Sequence, residues 1–265
     1  MTTFKNKLCW VTGASSGIGE AIAIELAKEG AHLHLSSNQP KELEEVKTRC
    51  LQYTSVCHTS VFDLSNPDEV KESAKTAIEK YGAVYLLINN GGISQRSEII
   101  DTSIEMHRKI IEIDFFSYLI ITKTVLPSMI EAGEGFIAAT SSISGKFGFP
   151  LRSAYASAKH AIQGFFETLR IEMVRHNISV TIAYPGRVNT KISMNALKAD
   201  GTAHGTMDAG QAGGISAEKC AKRYIKAIKR KKPEVLIGSK ELLMVPIKRF
   251  FPRIFFKIVG NIKST

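Results

Sequence analysis

The sequence predicts an α/β fold, a doubly wound parallel sheet with helices on both faces, and three observations carry that expectation. Short apolar runs alternate with longer amphipathic stretches from residue 8 to residue 237. Strand and helix in alternation imply βαβ crossovers and a sheet covered on both sides. The first apolar run breaks into Thr12-Gly13-Ala14-Ser15-Ser16-Gly17-Ile18-Gly19 just before a helical pattern. No repeat and no Pro/Ser-rich linker divides the 265 residues, which therefore read as one domain.

The elements follow in order. Strand 8–12 stops at the glycine-rich turn, and helix 18–29 opens out of it. Strand 32–36 ends at Ser36-Ser37-Asn38 and leads to helix 41–52. Strand 55–62 ends at Asp63 before helix 67–80, and strand 84–88 ends in Asn89-Asn90-Gly91-Gly92. A single long helix is expected over 103–131, then strand 136–140, Ser142, helix 153–175 and strand 179–183, which runs into Pro185-Gly186. Residues 190–215 carry five glycines and few large apolar side chains, which suits a mobile loop. Helix 216–230 closes on Lys229-Arg230-Lys231-Lys232, cations that complement a helix C-terminus, and strand 234–237 ends the sheet.

The formal charge of +10 belongs to one end of the chain. Residues 216–265 hold fourteen Lys and Arg against three acids, a net of +11, and the remainder is at −1. A near-neutral body argues against a whole-surface nucleic-acid binder, so no nucleic-acid partner is expected. With 44% hydrophobic residues, 23% charged residues and no biased tracts, disorder is not expected. Cys9, Cys50, Cys57 and Cys220 show neither C-x-x-C pairing nor histidine partners at zinc-finger spacing. No metal site follows, and the cysteines read as thiols of a reducing compartment. The first residues lack the apolar core of a signal peptide, and no run of eighteen apolar residues suggests a spanning helix. The expected location is cytoplasmic, with any membrane contact peripheral.

Two constellations carry chemistry. In the first, Gly13, Gly17 and Gly19 let the backbone turn tightly and approach a pyrophosphate at a helix N-terminus, where free N–H groups and the dipole favour an anion. Strand two then ends where a dinucleotide fold meets the adenosine ribose. An acid there would accept from the 2′-hydroxyl and repel a 2′-phosphate. Ser37 and Asn38 stand there instead, with Lys41 nearby, so NADP(H) is favoured, with NAD(H) as the alternative.

In the second, Tyr155 and Lys159 lie four apart on one helix face, and Ser142 lies thirteen residues upstream of the tyrosine. Carbonyl reduction needs a proton donor, a group that tunes it and a donor that holds the carbonyl oxygen. A free tyrosine titrates near ~10, and an adjacent ammonium favours its ionised form. Tyr155, Lys159 and Ser142 fill these roles in that order.

These motifs, with Asp63, Asn89-Asn90-Gly91-Gly92 and Pro185-Gly186, resemble the short-chain dehydrogenase/reductase family in order and spacing across residues 7–190. The resemblance implies a single-domain Rossmann-type fold and an NAD(P)-dependent oxidoreductase acting on CH–OH groups. It also implies cofactor contacts from Ser15, Ser16 and Ile18 beside the glycines. Asp63 and Leu64 would meet adenine, and Asn90 and Gly91 would line the cofactor cleft. Lys159 would also hold the nicotinamide ribose, and Val188 and Thr190 beyond Pro185-Gly186 would hold the carboxamide end. The family often pairs through the helices at 103–131 and 153–175, so a homo-oligomer is expected.

Two positions depart from the family pattern. Gly91 stands where an alanine is usual, a small loss of packing. Asp114, in Glu112-Ile113-Asp114-Phe115, stands where an asparagine supports a water leading to the lysine. Either the carboxylate is a tolerated isostere in the catalytic set, or it leaves a weakened dinucleotide-sensing or membrane-surface binding module on the same fold.

The stretch from Ser142 to Phe166 and the basic end resemble the membrane-associated branch of the family. That branch includes the 11β-hydroxysteroid and member-7 and member-7B dehydrogenase/reductases. The implied substrate is a hydrophobic carbonyl or alcohol, lipid- or steroid-like. The body is then 1–240 with a substrate lid at 190–215, and the tail is 241–265. Ile192, Met194, Leu197, Phe147 and Phe149 either line a substrate pocket or serve packing. Arg96, Arg152 and Arg187 follow the C-terminal ends of strands, the ligand edge of such sheets, and either meet an anionic head group or pair with carboxylates and solvent. In the tail, Leu243, Ile247, Phe250, Ile254 and Ile258 form an apolar arc beside Arg249, Arg253 and Lys257, with Pro246 and Pro252 expected to kink or divide the helix. Such an arc lies in an anionic membrane surface or covers the cleft or a subunit partner.

Overall fold

Nine strands and ten helices are found among residues 3–261, the residues that the computed structural model describes. The strands are β1 (Leu8–Thr12), β2 (His32–Ser37), β3 (Cys57–Val61), β4 (Leu86–Asn89), β5 (Gly135–Thr140), β6 (Ile178–Pro185), β7 (Val188–Asn189), β8 (Ile215–Ser216) and β9 (Glu234–Ile237). The helices are α1 (Gly17–Lys28), α2 (Pro40–Cys50), α3 (Pro67–Tyr81), α4 (Ile104–Ile111), α5 (Ser117–Ala132), α6 (Ser153–Met173), α7 (Ala209–Ala212), α8 (Ala217–Lys229), α9 (Met244–Phe250) and α10 (Pro252–Gly260). Seven strands form one sheet in the order β3-β2-β1-β4-β5-β6-β9, every pair parallel, while β7 and β8 pair separately. Strand order reverses between β1 and β4, which leaves a crevice at their C-terminal ends.

The near-continuous apolar strands are those of a sheet buried on both faces. Alternation sends Cys9 and Val11 of β1 to the side covered by α1, α2 and α8, and Trp10 to the side covered by α3, α5 and α6. Leu86 and Ile88 oppose Leu87 in β4 in the same way. This is the α/β sheet with helices on both faces that the pattern of runs implies, in the Rossmann-type order that the resemblance implies.

Three local features differ from the expectation. The helix expected over 103–131 is continuous from Ile104 to Ala132, but it passes from α4 to α5 through a π-turn at Glu112–Phe116. By length and composition this helix could cross a membrane, yet Tyr118, Ile121, Val125 and Met129 lie buried in the core beneath the sheet. Second, residues 190–215 are not featureless. Leu197 bridges to Gln95 and Ala203, α7 forms beyond them, and β8 closes the segment against β7. Third, Pro246 does not break the tail, because it falls in the first turn of α9, where its missing N–H is unneeded. The division comes at Phe251, which leaves helical backbone ahead of Pro252 at the start of α10 (φ −134°, ψ 60°). The last part of the tail, 262–265 with Lys263, lies outside the described residues.

Candidate active site

The crevice between β1 and β4 opens into a cavity of about 830 Å3. Thr12 ties its floor together, its hydroxyl accepting from the N–H groups of Asn90 (2.9 Å) and Gly91 (3.1 Å). Gly13 (φ 62°) and Gly17 (φ 60°) hold left-handed backbone that other residues rarely adopt. A Cβ on Gly13 would strike the Gly91 backbone, and one on Gly19 would strike the Gly13 carbonyl. The turn is therefore as thin as a main chain can be, leaving a cradle open at the N-terminus of α1. Gly91 is explained by its neighbour: a Cβ there would lie 2.5 Å from Leu64 Cδ1, which fills the place of the usual methyl.

At the end of the cavity beside β2, Ser15, Ser16, Ser37, Asn38 and Gln39 line the wall. Ser15 and Ser37 share a hydrogen bond at 2.8 Å, and Ser15 also donates to Gln39 at 3.2 Å. Lys41 is not among the lining residues. Asp63 and Leu64 follow at the end of β3, and Asp63 takes the Ser65 N–H at 2.8 Å in a local turn.

The other end holds the polar cluster. Ser142 is extended after β5. Its hydroxyl accepts the Ser144 N–H at 3.1 Å, capping a short turn, and points its own proton at the Pro185 carbonyl, 3.5 Å away. Tyr155 and Lys159 project one turn apart from the start of α6, with the ammonium 5.5 Å from the Tyr155 ring centre. Lys159 donates to the Thr140 carbonyl at 3.2 Å and lies 3.1 Å from Asp114 Oδ2. Burial opposes its charge, but Asp114, Tyr118 and Tyr155 more than offset this and hold the lysine protonated well above its ordinary range.

The short chain dehydrogenase family matches residues 7–201. The chain belongs to that family. It is 40% identical over 263 residues to the dehydrogenase/reductase SDR family member 7B of Mus musculus, covering 97% of this chain and 81% of the relative. It is 39% identical over 237 residues to a dehydrogenase/reductase SDR family protein 7-like of Anopheles gambiae, covering 88% and 75%. Its fold matches a short-chain dehydrogenase/reductase from Burkholderia phymatum in complex with NAD (TM-score 0.84, 21% identity, 96% of both chains). It also matches an alcohol dehydrogenase from Thermococcus sibiricus complexed with 5-hydroxy-NADP (TM-score 0.76, 25% identity, 89% of this chain and 97% of that one). Like its family, this short-chain dehydrogenase is an NAD(P)-dependent oxidoreductase.

One cavity of this short-chain dehydrogenase collects the expected catalytic and cofactor-contact residues except Gly19, which packs beneath the cradle, and the nearby Lys41. Thus Pro185 from β6, Gly186 from the following turn, Val188 from β7 and Thr190 just beyond it line the cavity, as do Asn90 and Asp114. Of the expected pocket residues, Ile192, Phe147 and Phe149 line the cavity, but Met194 and Leu197 do not. Leu197 is held by main-chain bonds to Ser94 and Arg96, which turn it onto Met106, Ile110 and Tyr155.

Arg96 and Arg152 take the carboxylate alternative, with a partner that sequence reading did not name, while Arg187 lines the cavity. Asp208 accepts from Arg96 at 2.5 Å and from Arg152 at 3.1 Å, so a carboxylate of residues 190–215 is clamped to the cavity rim. Burial alone would raise the Asp208 carboxyl, yet the two guanidiniums hold it below the usual range. Burial and Arg96 push Arg152 down to about 10. Nothing in the spacing of 96, 152 and 208 signals this cluster. The tail also contributes. Phe255 is buried edge-on against Phe147 at 5.0 Å, and Met244 and Val259 line the cavity. Of the expected arc, Ile247 turns inward to this packing, while Leu243, Phe250, Ile254 and Ile258 remain exposed.

Proposed function

We propose that the chain interconverts a ketone or aldehyde and an alcohol with NADP(H), on a hydrophobic, lipid- or steroid-like substrate, using Tyr155 as general acid and base. The observation that carries this reading is the convergence of Ser142, Tyr155 and Lys159 on the cavity whose other end is the glycine cradle. The donor set fits a dinucleotide: a side-chain-free turn at a helix N-terminus for the pyrophosphate, and hydroxyl and amide groups for the riboses. No acid lines the cavity at Ser37 and Asn38, so Ser15, Ser37, Asn38 and Gln39 would hold a 2′-phosphate without repulsion.

When bound, the nicotinamide supplies or takes the hydride at the substrate carbon. Ser142 holds the carbonyl oxygen by hydrogen bonding, and Tyr155 gives that oxygen its proton, so that carbonyl becomes alcohol. Lys159 stabilises the phenolate left behind, which regains its proton from solvent. In the reverse direction the phenolate takes the alcohol proton as the hydride departs. Ile93, Ile143, Phe147, Phe149, Met244 and Val259 give the substrate end an apolar wall suited to a hydrophobic substrate.

The tail supports peripheral membrane contact. Its inner face closes the cavity, while exposed Phe250, Phe251, Ile254 and Phe256 stand beside Lys248, Arg249, Arg253 and Lys257, a face suited to an anionic bilayer. Exposed Ile104, Phe116, Ile171 and Val174 on α4, the π-turn and the end of α6 support pairing of two copies. The test is a panel of ketones and aldehydes assayed with each cofactor, beside fluorescence titration of NADPH and NADH. Turnover with tighter NADPH is expected. Tighter NADH would overturn the cofactor reading, and cofactor binding without any carbonyl turnover would overturn the reductase.

A further inference from the structure

Asp114 is fully buried in the π-turn between α4 and α5. The extra residue of that turn is what re-aims a side chain here. Its Oδ1 accepts the Ile93 N–H at 2.8 Å, and its Oδ2 lies 3.1 Å from Lys159 Nζ. The approach is off-axis for a hydrogen bond, so Oδ2 has no aligned donor and the contact is charge against charge. Gly92 makes room for it, because a Cβ there would stand 3.0 Å from Asp114 Oδ1. The ammonium in turn lies 5.5 Å from the centre of the Tyr155 ring, so the carboxylate is within about 9 Å of that ring.

We propose that Asp114 is a positioning residue that compensates the Lys159 ammonium, keeps Tyr155 in its proton-donating form, and so sets the site towards carbonyl reduction. This rests on the reductase reading above. An amide in the same place would keep the Ile93 bond and the shape but leave the ammonium uncompensated, favouring the phenolate that alcohol oxidation needs. Other groups facing the cluster are fixed in kind. Tyr118 of α5 lies against Lys159, Tyr224 of α8 meets Thr140, and Arg152 ahead of α6 is paired with Asp208 and flanked by Arg96. None of these supplies a second negative charge to Lys159. Burial outweighs Lys159 and the Ile93 N–H and raises the Asp114 carboxyl above its ordinary range, so the compensation fades on acidification.

The experiment uses the full chain, wild type and Asp114→Asn, with Asp114→Ser as a second uncharged variant and circular dichroism to show folding. A charge at this distance and an effective dielectric of ~20 moves a neighbouring titration by on the order of one pH unit. The pH profile of kcat/KM for phenanthrenequinone reduction by NADPH is therefore expected to lose its alkaline limb about one pH unit lower in both variants. Independently of turnover, the phenolate absorbance that vanishes on adding Tyr155→Phe should emerge about one pH unit lower in the variants. Coincident phenolate curves would overturn the role of Asp114 even with turnover intact. Shifted curves with no turnover in any chain would support the charge compensation and sink the reductase reading instead.

Discussion

Replacing Asp208 with alanine tests how residues 190–215 are held over the cavity. Its side chain is 12% exposed and faces Arg96 (4%) and Arg152 (14%), so the substitution strands two guanidiniums in a mostly dry place. Breaking a buried pair by removing one partner costs about 3–5 kcal/mol. Here the cost is lower, because Arg96 also donates to Ser94 and to the Gln95 carbonyl, Arg152 donates to the Pro150 carbonyl, and the cavity admits water. About 2–3 kcal/mol is expected, which is roughly 4–10 °C in Tm for a chain of this size. The pH dependence has a definite sign. The Asp208 carboxyl titrates lower folded than unfolded, so its contribution is whole above about pH 4 and is lost as pH falls through the lower folded value. Thermal scans of both chains at pH 7.5 and at the lowest pH where both stay folded should show a gap that closes on acidification. A gap under about 1 °C at neutral pH, or one that widens in acid, would refute the clamp.

Two further outcomes follow from packing. Gly13→Ala places a Cβ against the Gly91 backbone at positive φ; cofactor affinity, read by NADPH fluorescence, should fall at least about tenfold, since backbone on both sides must move. Phe255→Ala removes the tail's buried anchor on Phe147; a buried Phe→Ala change costs about 3–5 kcal/mol, but release of α9 and α10 caps the loss. Limited proteolysis within 244–260 should accelerate strongly while Tm of the body changes little, and an unchanged cleavage rate would show that the tail is held elsewhere.

Much of the fold was legible because it is written in periodicity. Short apolar strands set between amphipathic helices, and the glycine turn after β1, leave signals that local pattern captures. What escaped was whatever depends on a few residues or on distant partners. β7 and β8 span two residues each, too short for any period. The π-turn at Asp114 adds one residue inside an otherwise regular helix, and helical periodicity absorbs it without a mark. At the site, chain order and spacing brought Ser142, Tyr155 and Lys159 into view, since each sits at the end of a strand or the start of a helix. Asp208 pairs with Arg96 across 112 residues from a glycine-rich stretch, and only the folded chain brings the two together. The tail divided the same way: its exposed arc is amphipathic and readable, whereas Phe255 finds its partner only in Phe147.

The central claim is that Tyr155 carries the proton in a carbonyl reduction, and Tyr155→Phe addresses it with the loss of one oxygen. General acid catalysis is worth about 100- to 10,000-fold, so turnover of a reducible carbonyl with NADPH should fall by at least that much while the NADPH dissociation constant stays within about twofold. Turnover unchanged in the variant would contradict the account.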